Sequence, residues 1–179
     1  MINIFEDIVN VWLQEVCNHF TRSNIVVRKE TRIINEKKHG GGRGKEIDFL
    51  STDGQKYYWV EVSVSLSPFL PSKTIYNKKI LDDAKMKFSI EKQTYIHSHI
   101  CHKDIVKWFI YSPKLFNKRT DEEAYCDALK KENIEAISFE WVLKEICNKL
   151  NYFGYDAPRQ YLYLLRLLRD PNRTLSPLR

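Results

Sequence analysis

The segment Glu46-Ile47-Asp48-Phe49-Leu50 alternates charged and apolar side chains, and Trp59-Val60-Glu61-Val62-Ser63 comes shortly after it. Successive side chains of an extended chain point to opposite faces, so Glu46 shares a face with Asp48, and Glu61 with Ser63. Between the two segments lies Thr52-Asp53-Gly54-Gln55. Asp-Gly flanked by alternating segments predicts a hairpin, which sets the acids on neighbouring strands. A carboxylate beside an apolar core is costly unless it is paired or bound to a cation, and two that converge repel each other. A divalent ion between them relieves both costs. Magnesium suits such a place, since it takes few carboxylates and completes its shell with waters and phosphate oxygens. Asp48 and Glu61 are therefore candidates for metal-assisted chemistry on a phosphate ester. The competing explanation is a pair of strand-edge acids matched by surface lysines.

The elements that must position these acids emerge from periodicity and turn chemistry. Phe5, Ile8, Val9, Trp12, Leu13, Val16 and Phe20 recur at helical spacing, which predicts a first helix over residues 2–21. The β-branched run from Asn24 to Ile34 predicts a strand, and His39-Gly40-Gly41-Gly42-Arg43-Gly44 a flexible connection to the next. Strands are expected at Glu46–Leu50 and Tyr57–Ser65. A loop bounded by Pro68 and Pro71 then leads to a lysine-rich helix of roughly 20 residues with Ser72 as N-cap. Ile105–Tyr111 and Ile134–Phe139 read as strands, and 120–132, 140–151 and 158–169 as helices. Three strands joined by short turns predict an antiparallel meander, and strands reached through helices predict parallel pairing. The expected architecture is α/β, a mixed sheet flanked by helices. Residues 1–150 form the main domain and 151–179 a helical extension packed on the core or at a dimer contact.

With those elements in order, the acidic pattern resembles that of the PD-(D/E)XK nuclease superfamily. Its members carry an acidic residue, a gap and Glu-x-Lys on the second and third strands of a restriction-endonuclease-like core. The resemblance covers about the first two thirds of the chain. It implies that Asp48, Glu61 and the carbonyl of Val62 hold Mg²⁺ or Mn²⁺, with Glu6 of the first helix as a further carboxylate near the metal. One departure matters: Ser63 stands where the family has lysine, and a hydroxyl supplies no positive charge. Some members bring a lysine from the following helix, which makes Lys73, Lys78 and Lys79 candidates, with Lys78 preferred. The implied activity is metal-dependent endonucleolytic hydrolysis of phosphodiester bonds in DNA, with Asp48, Glu61, Ser63 and Lys78 as catalytic residues. The alternative is a degenerate nuclease-fold module that binds nucleic acid without cutting it.

Bulk properties agree with an anionic partner. The 179 residues carry a net charge of +6, which favours nucleic acid over a membrane surface, and the resemblance implies double-stranded DNA as that partner. Lys37, Lys38, Arg43 and Lys45 surround the glycine loop and, with Lys73, are candidate phosphate contacts. Lys85, Lys87 and Lys92 extend the basic side of the lysine-rich helix and read as its solvated face, with flanking contacts to bound DNA as the alternative. His97, His99, Cys101 and His102 have metal-ligating side chains but no second half at zinc-site spacing, so they read as a polar connection. Cys17, Cys101, Cys126 and Cys147 are scattered, as reduced cysteines are, and no apolar stretch is long enough to cross a bilayer. Cytoplasmic residence is the resulting expectation. Tyr161, Leu162, Leu164, Leu165, Leu167 and Leu168 give the last helix a broad apolar surface that suits core packing or a homodimer.

Overall fold

A computed structural model describes residues 4–27, 32–34, 37–39, 45–64, 78–101, 104–112, 116 and 118–149. The glycine loop, Lys73, the prolines before the lysine-rich helix and the extension at 151–179 lie outside them.

Helix α1 spans Ile4–Val11 and continues as one π-helical turn, Trp12–Val16. The expected helix to residue 21 stops earlier because Asn18 takes a φ of +55°, a left-handed conformation that Asn tolerates better than most residues. The last carbonyls are met by Cys17 N–H on Trp12 O at 3.0 Å and His19 N–H on Leu13 O at 2.8 Å. Phe20 consequently opens a strand and is exposed, while His19 is buried with Nδ1 3.2 Å from Ser51 Oγ.

The strand expected over 24–34 is two elements. Strand β1 runs Phe20–Val27, whereas β2 (Arg32–Ile34) pairs with β3 (Lys37–His39) in a separate two-stranded sheet. Strands β4 (Lys45–Thr52) and β5 (Tyr57–Ser63) form the expected hairpin. Its turn is held by Asp53, whose Oδ1 accepts from Gln55 N–H at 2.8 Å and Lys56 N–H at 2.7 Å, while Gly54 supplies a φ of +89°. Strands β6 (Ile105–Tyr111) and β7 (Ile134–Ser138) complete a five-stranded sheet in the order β1-β4-β5-β6-β7. The β1, β4 and β5 pairings are antiparallel; β5, β6 and β7 run parallel, so Ser63, Tyr111 and Ser138 stand in a row at one edge.

Helices cover both faces. Helices α2 (Lys78–Lys87), α3 (Ile90–His99) and α4 (Arg119–Lys131) bury Ala84, Phe88, Ile96, Tyr125 and Leu129 against Trp59 and Phe109. On the other face, α1 and α5 (Phe139–Lys149) pack Val9, Trp12, Leu13, Val142 and Ile146 on Phe49, Val60, Val62 and Ile110. The molecule is thus an α/β fold with a mixed sheet between two helical layers. Among the described residues no helix is long and apolar enough to cross a membrane.

Two irregularities set the surroundings of the acids. The single lysine-rich helix expected from Ser72 is broken: α2 ends at Lys87, Ser89 is extended (φ −66°, ψ 153°), and α3 begins at Ile90. Phe88 between them is buried with its ring centroid 5.0 Å from that of Trp59. In β4, Ile47 packs on the Trp59 side while Phe49 packs on the Val60 side, so strand alternation breaks at Asp48. Opposite it, Asn24 has a φ of +54° and drops out of the β1–β4 pairing.

The Phe88 ring anchors the helix break to the sheet, so Phe88→Ala is expected to cost about 3 to 5 kcal/mol of unfolding free energy. Chemical denaturation of both proteins measures it, and a loss below about 1 kcal/mol contradicts the anchoring role.

Candidate functional site

Glu61 lies two residues from the end of β5 on the face covered by α2 and α3, only 1% exposed. Its neighbours Val60 and Val62 point into the opposite core, so strand alternation drives a carboxylate into the α2–α3 layer. Two donors and a second ammonium meet it there. Oε1 accepts from Trp59 Nε1 at 2.7 Å and from Lys92 Nζ at 2.7 Å; Oε2 lies 4.0 Å from Lys87 Nζ. Burial first, and the charge of Asp48 second, push the Glu61 carboxyl up to about 7, against the pull of Lys92 and Trp59.

Asp48 reaches the same place from β4. The β4–β5 ladder runs from Thr52↔Tyr57 to Phe49↔Val60, and beyond its end the N–H of Val62 donates to Asp48 Oδ2 at 2.7 Å. The acid substitutes for a main-chain acceptor that the diverging strand no longer supplies. The same Oδ2 is 3.4 Å from Lys87 Nζ, and the carbonyl of Val62 accepts from that ammonium at 2.6 Å. One cation therefore sits among Asp48 Oδ2, Glu61 Oε2 and Val62 O. Two of these are the acids the sequence singles out, the third is the carbonyl the resemblance implies, and all three surround the Lys87 ammonium.

The donor set fits a hard divalent ion, two carboxylates and a carbonyl, all oxygen, at the point that the Lys87 ammonium takes. Among the described residues no three acidic, histidine or cysteine side chains converge. Glu6 accordingly does not join Asp48 and Glu61 in a three-carboxylate group. It lies half-buried on α1, whose Ile8 and Val9 pack on the far face of the sheet.

The described lysine at the site is Lys87, while the preferred candidate, Lys78, opens the same helix. Both belong to α2, but nine residues of helix separate them by about 13 Å along the axis, and the end of α2 is what meets the acids. Lys92 is the second cation the sequence did not mark. It is 6% exposed, and its ammonium is spent on Glu61 instead of facing solvent. One signal was available: Ala84, Phe88, Lys92 and Ile96 succeed one another at four-residue spacing and all four are buried. Lysine at a core position of such a row points to a buried partner. Ser63, at the end of β5, is exposed.

The other basic candidates divide. Lys37 and Lys38 lie on β3, and Arg43 and Lys73 lie outside the described residues. Lys45 is committed to Glu91 of α3 at 2.8 Å, and Lys85 to Glu132 at 2.6 Å, so neither is an unengaged phosphate contact. His97 and His99 belong to α3, where His99 Nδ1 is 3.1 Å from Tyr95 O and its ring stacks on Tyr95.

A carboxyl whose pKa is higher in the folded than in the unfolded chain contributes stability below about 4.5, and loses it as pH rises through about 7. In the presence of chelator, Glu61→Gln is expected to gain on the unaltered protein over that interval by roughly 2 to 3 kcal/mol. Denaturant titrations at stepped pH give the difference. A difference that stays flat from pH 4.5 to 7 contradicts the raised pKa.

No family model matches the sequence, and no curated protein matches it. Among solved structures, the crystal structure of a protein of unknown function, AF1548, aligns with 95% of this chain and 100% of its own at 12% identity and a TM-score of 0.46.

Proposed function

We propose that this chain is a divalent-metal-dependent phosphodiesterase of the PD-(D/E)XK type, an endonuclease acting on nucleic acid, with double-stranded DNA as first substrate. The observation that carries the reading is the convergence of Asp48 Oδ2, Glu61 Oε2 and Val62 O around the Lys87 ammonium. Such a cradle selects a cation by charge and by oxygen donors. Asp48, Glu61 and the Val62 carbonyl would hold Mg²⁺ or Mn²⁺. When bound, the ion supplies Lewis-acid activation of water and of the scissile phosphate. The chain's own residues do the rest. Displaced from the cradle by the ion, Lys87 would stay beside the acids and bring the positive charge that Ser63 cannot, stabilising the charge that develops on the phosphoryl oxygens. Asp48 is tied to the main chain at Val62 and so keeps its carboxylate fixed while substrate docks. The order of elements from α1 to β6 and the net charge of +6 support the same assignment.

A second reading has its own observation. Lys87 and Lys92 already balance the charges of Asp48 and Glu61. A charge-neutral cluster of this kind also suits a module that binds nucleic acid without cutting it.

Cleavage of supercoiled plasmid and of branched DNA with Mg²⁺ or Mn²⁺ separates the two. The unaltered protein is expected to cut only with metal, Asp48→Ala to lose essentially all cutting, and Lys87→Met to be slower by about 10² to 10³. Equal cleavage by Asp48→Ala removes the catalytic assignment. Salt-sensitive DNA binding without any cleavage establishes the second reading.

A further inference from the structure

Glu61 has two oxygens with different surroundings. Oε1 is saturated by two donors, Trp59 Nε1 and Lys92 Nζ, each at 2.7 Å. Oε2 faces Lys87 at 4.0 Å, beside Asp48 Oδ2 and Val62 O. The carboxylate plane is thereby fixed by what holds Oε1. Trp59 is two residues away on the same strand and fully buried, so its indole offers one fixed direction. The second direction comes from α3, in the turn after the helix break that Phe88 anchors. Lys92 and Glu61 are 6% and 1% exposed, so neither exchanges the other for water at little cost.

We infer that Lys92 is a positioning residue for a divalent cation at Glu61, clamping Oε1 so that Oε2 is presented to the cradle. The inference rests on the metal reading proposed above and adds a residue that the acidic pattern does not contain. Lys92 does not touch the cation. It acts through the carboxylate, as hydrogen-bonded groups behind metal ligands commonly do, where their removal weakens metal binding by about 10 to 100-fold. A direction of change distinguishes this role from mere proximity. Deleting a positive charge near a cation site strengthens cation binding by Coulomb's law alone, so a loss of affinity reports the lost hold on Glu61.

The test is binding of Mn²⁺ alone to the full chain, measured by calorimetry and by the spin-resonance spectrum of the free ion. Four proteins are compared: unaltered, Glu61→Gln, Lys92→Met and the double variant. Lys92→Met is expected to weaken Mn²⁺ binding by about tenfold or more. In that background Glu61→Gln is expected to cost less than about threefold further, since its contribution is already lost. Binding by Lys92→Met that equals or exceeds the unaltered protein overturns the inference, as does a full additional loss from Glu61→Gln. No Mn²⁺ binding by the unaltered protein removes the metal reading and this inference together. If Lys92→Met lacks the native near-ultraviolet dichroism, Lys92→Leu, which likewise removes the donor and the charge, is judged by the same two criteria.

Discussion

A carboxylate buried in the middle of a sheet is the constraint around which this molecule is organised. Glu61 is nearly inaccessible, and a charge in that position is tolerated only when its oxygens are met by donors and opposite charge. One indole and one ammonium meet Oε1, and a second ammonium stands off Oε2. The two lysines come from different helices, Lys87 at the end of α2 and Lys92 early in α3. On one uninterrupted helix, residues five apart point in directions about 140° apart. The break at Phe88 and Ser89 removes that restriction and lets both ammonium groups approach from one side.

Asp48 answers a different requirement. Strands β4 and β5 part company just where the acids stand, and a main-chain N–H left behind by a diverging strand needs an acceptor. The Asp48 carboxylate provides it and is thereby carried to within reach of the same ammonium. The loss of alternation at Asp48 and the left-handed Asn24 across from it belong to the same local distortion. An irregular strand gives up one ladder contact and gains a fixed acid.

Much of the arrangement could be read from residues alone. Alternation in β5 and the Asp-Gly turn were sufficient to set Asp48 and Glu61 on paired strands, because these are local properties, whereas the expected alternation of β4 fails at Asp48, where Ile47 and Phe49 take opposite faces. The parallel half of the sheet was implied by its helical connections. What escaped were features decided by tertiary contact. Helical spacing persists through Phe20, and only the backbone of Asn18 ends the helix earlier. No glycine or proline marks the break at Phe88, which arises from that ring's place beside Trp59. Choosing among lysines required knowing which end of α2 faces the acids. Lys45 finds its partner 46 residues away, a distance no local pattern reports.

The parallel half of the sheet carries one more implication. Strands β5, β6 and β7 finish side by side at Ser63, Tyr111 and Ser138, so the chain leaves the sheet three times along a single rim. Glu61 sits two residues inside that rim, held from within the layers and not by the rim itself. The connection from β6 to α4 can therefore change in length or chemistry while the acidic pair stays as it is. On the proposed reading, selectivity for a target and the machinery that acts on it would be separable properties in this architecture, free to vary at different rates.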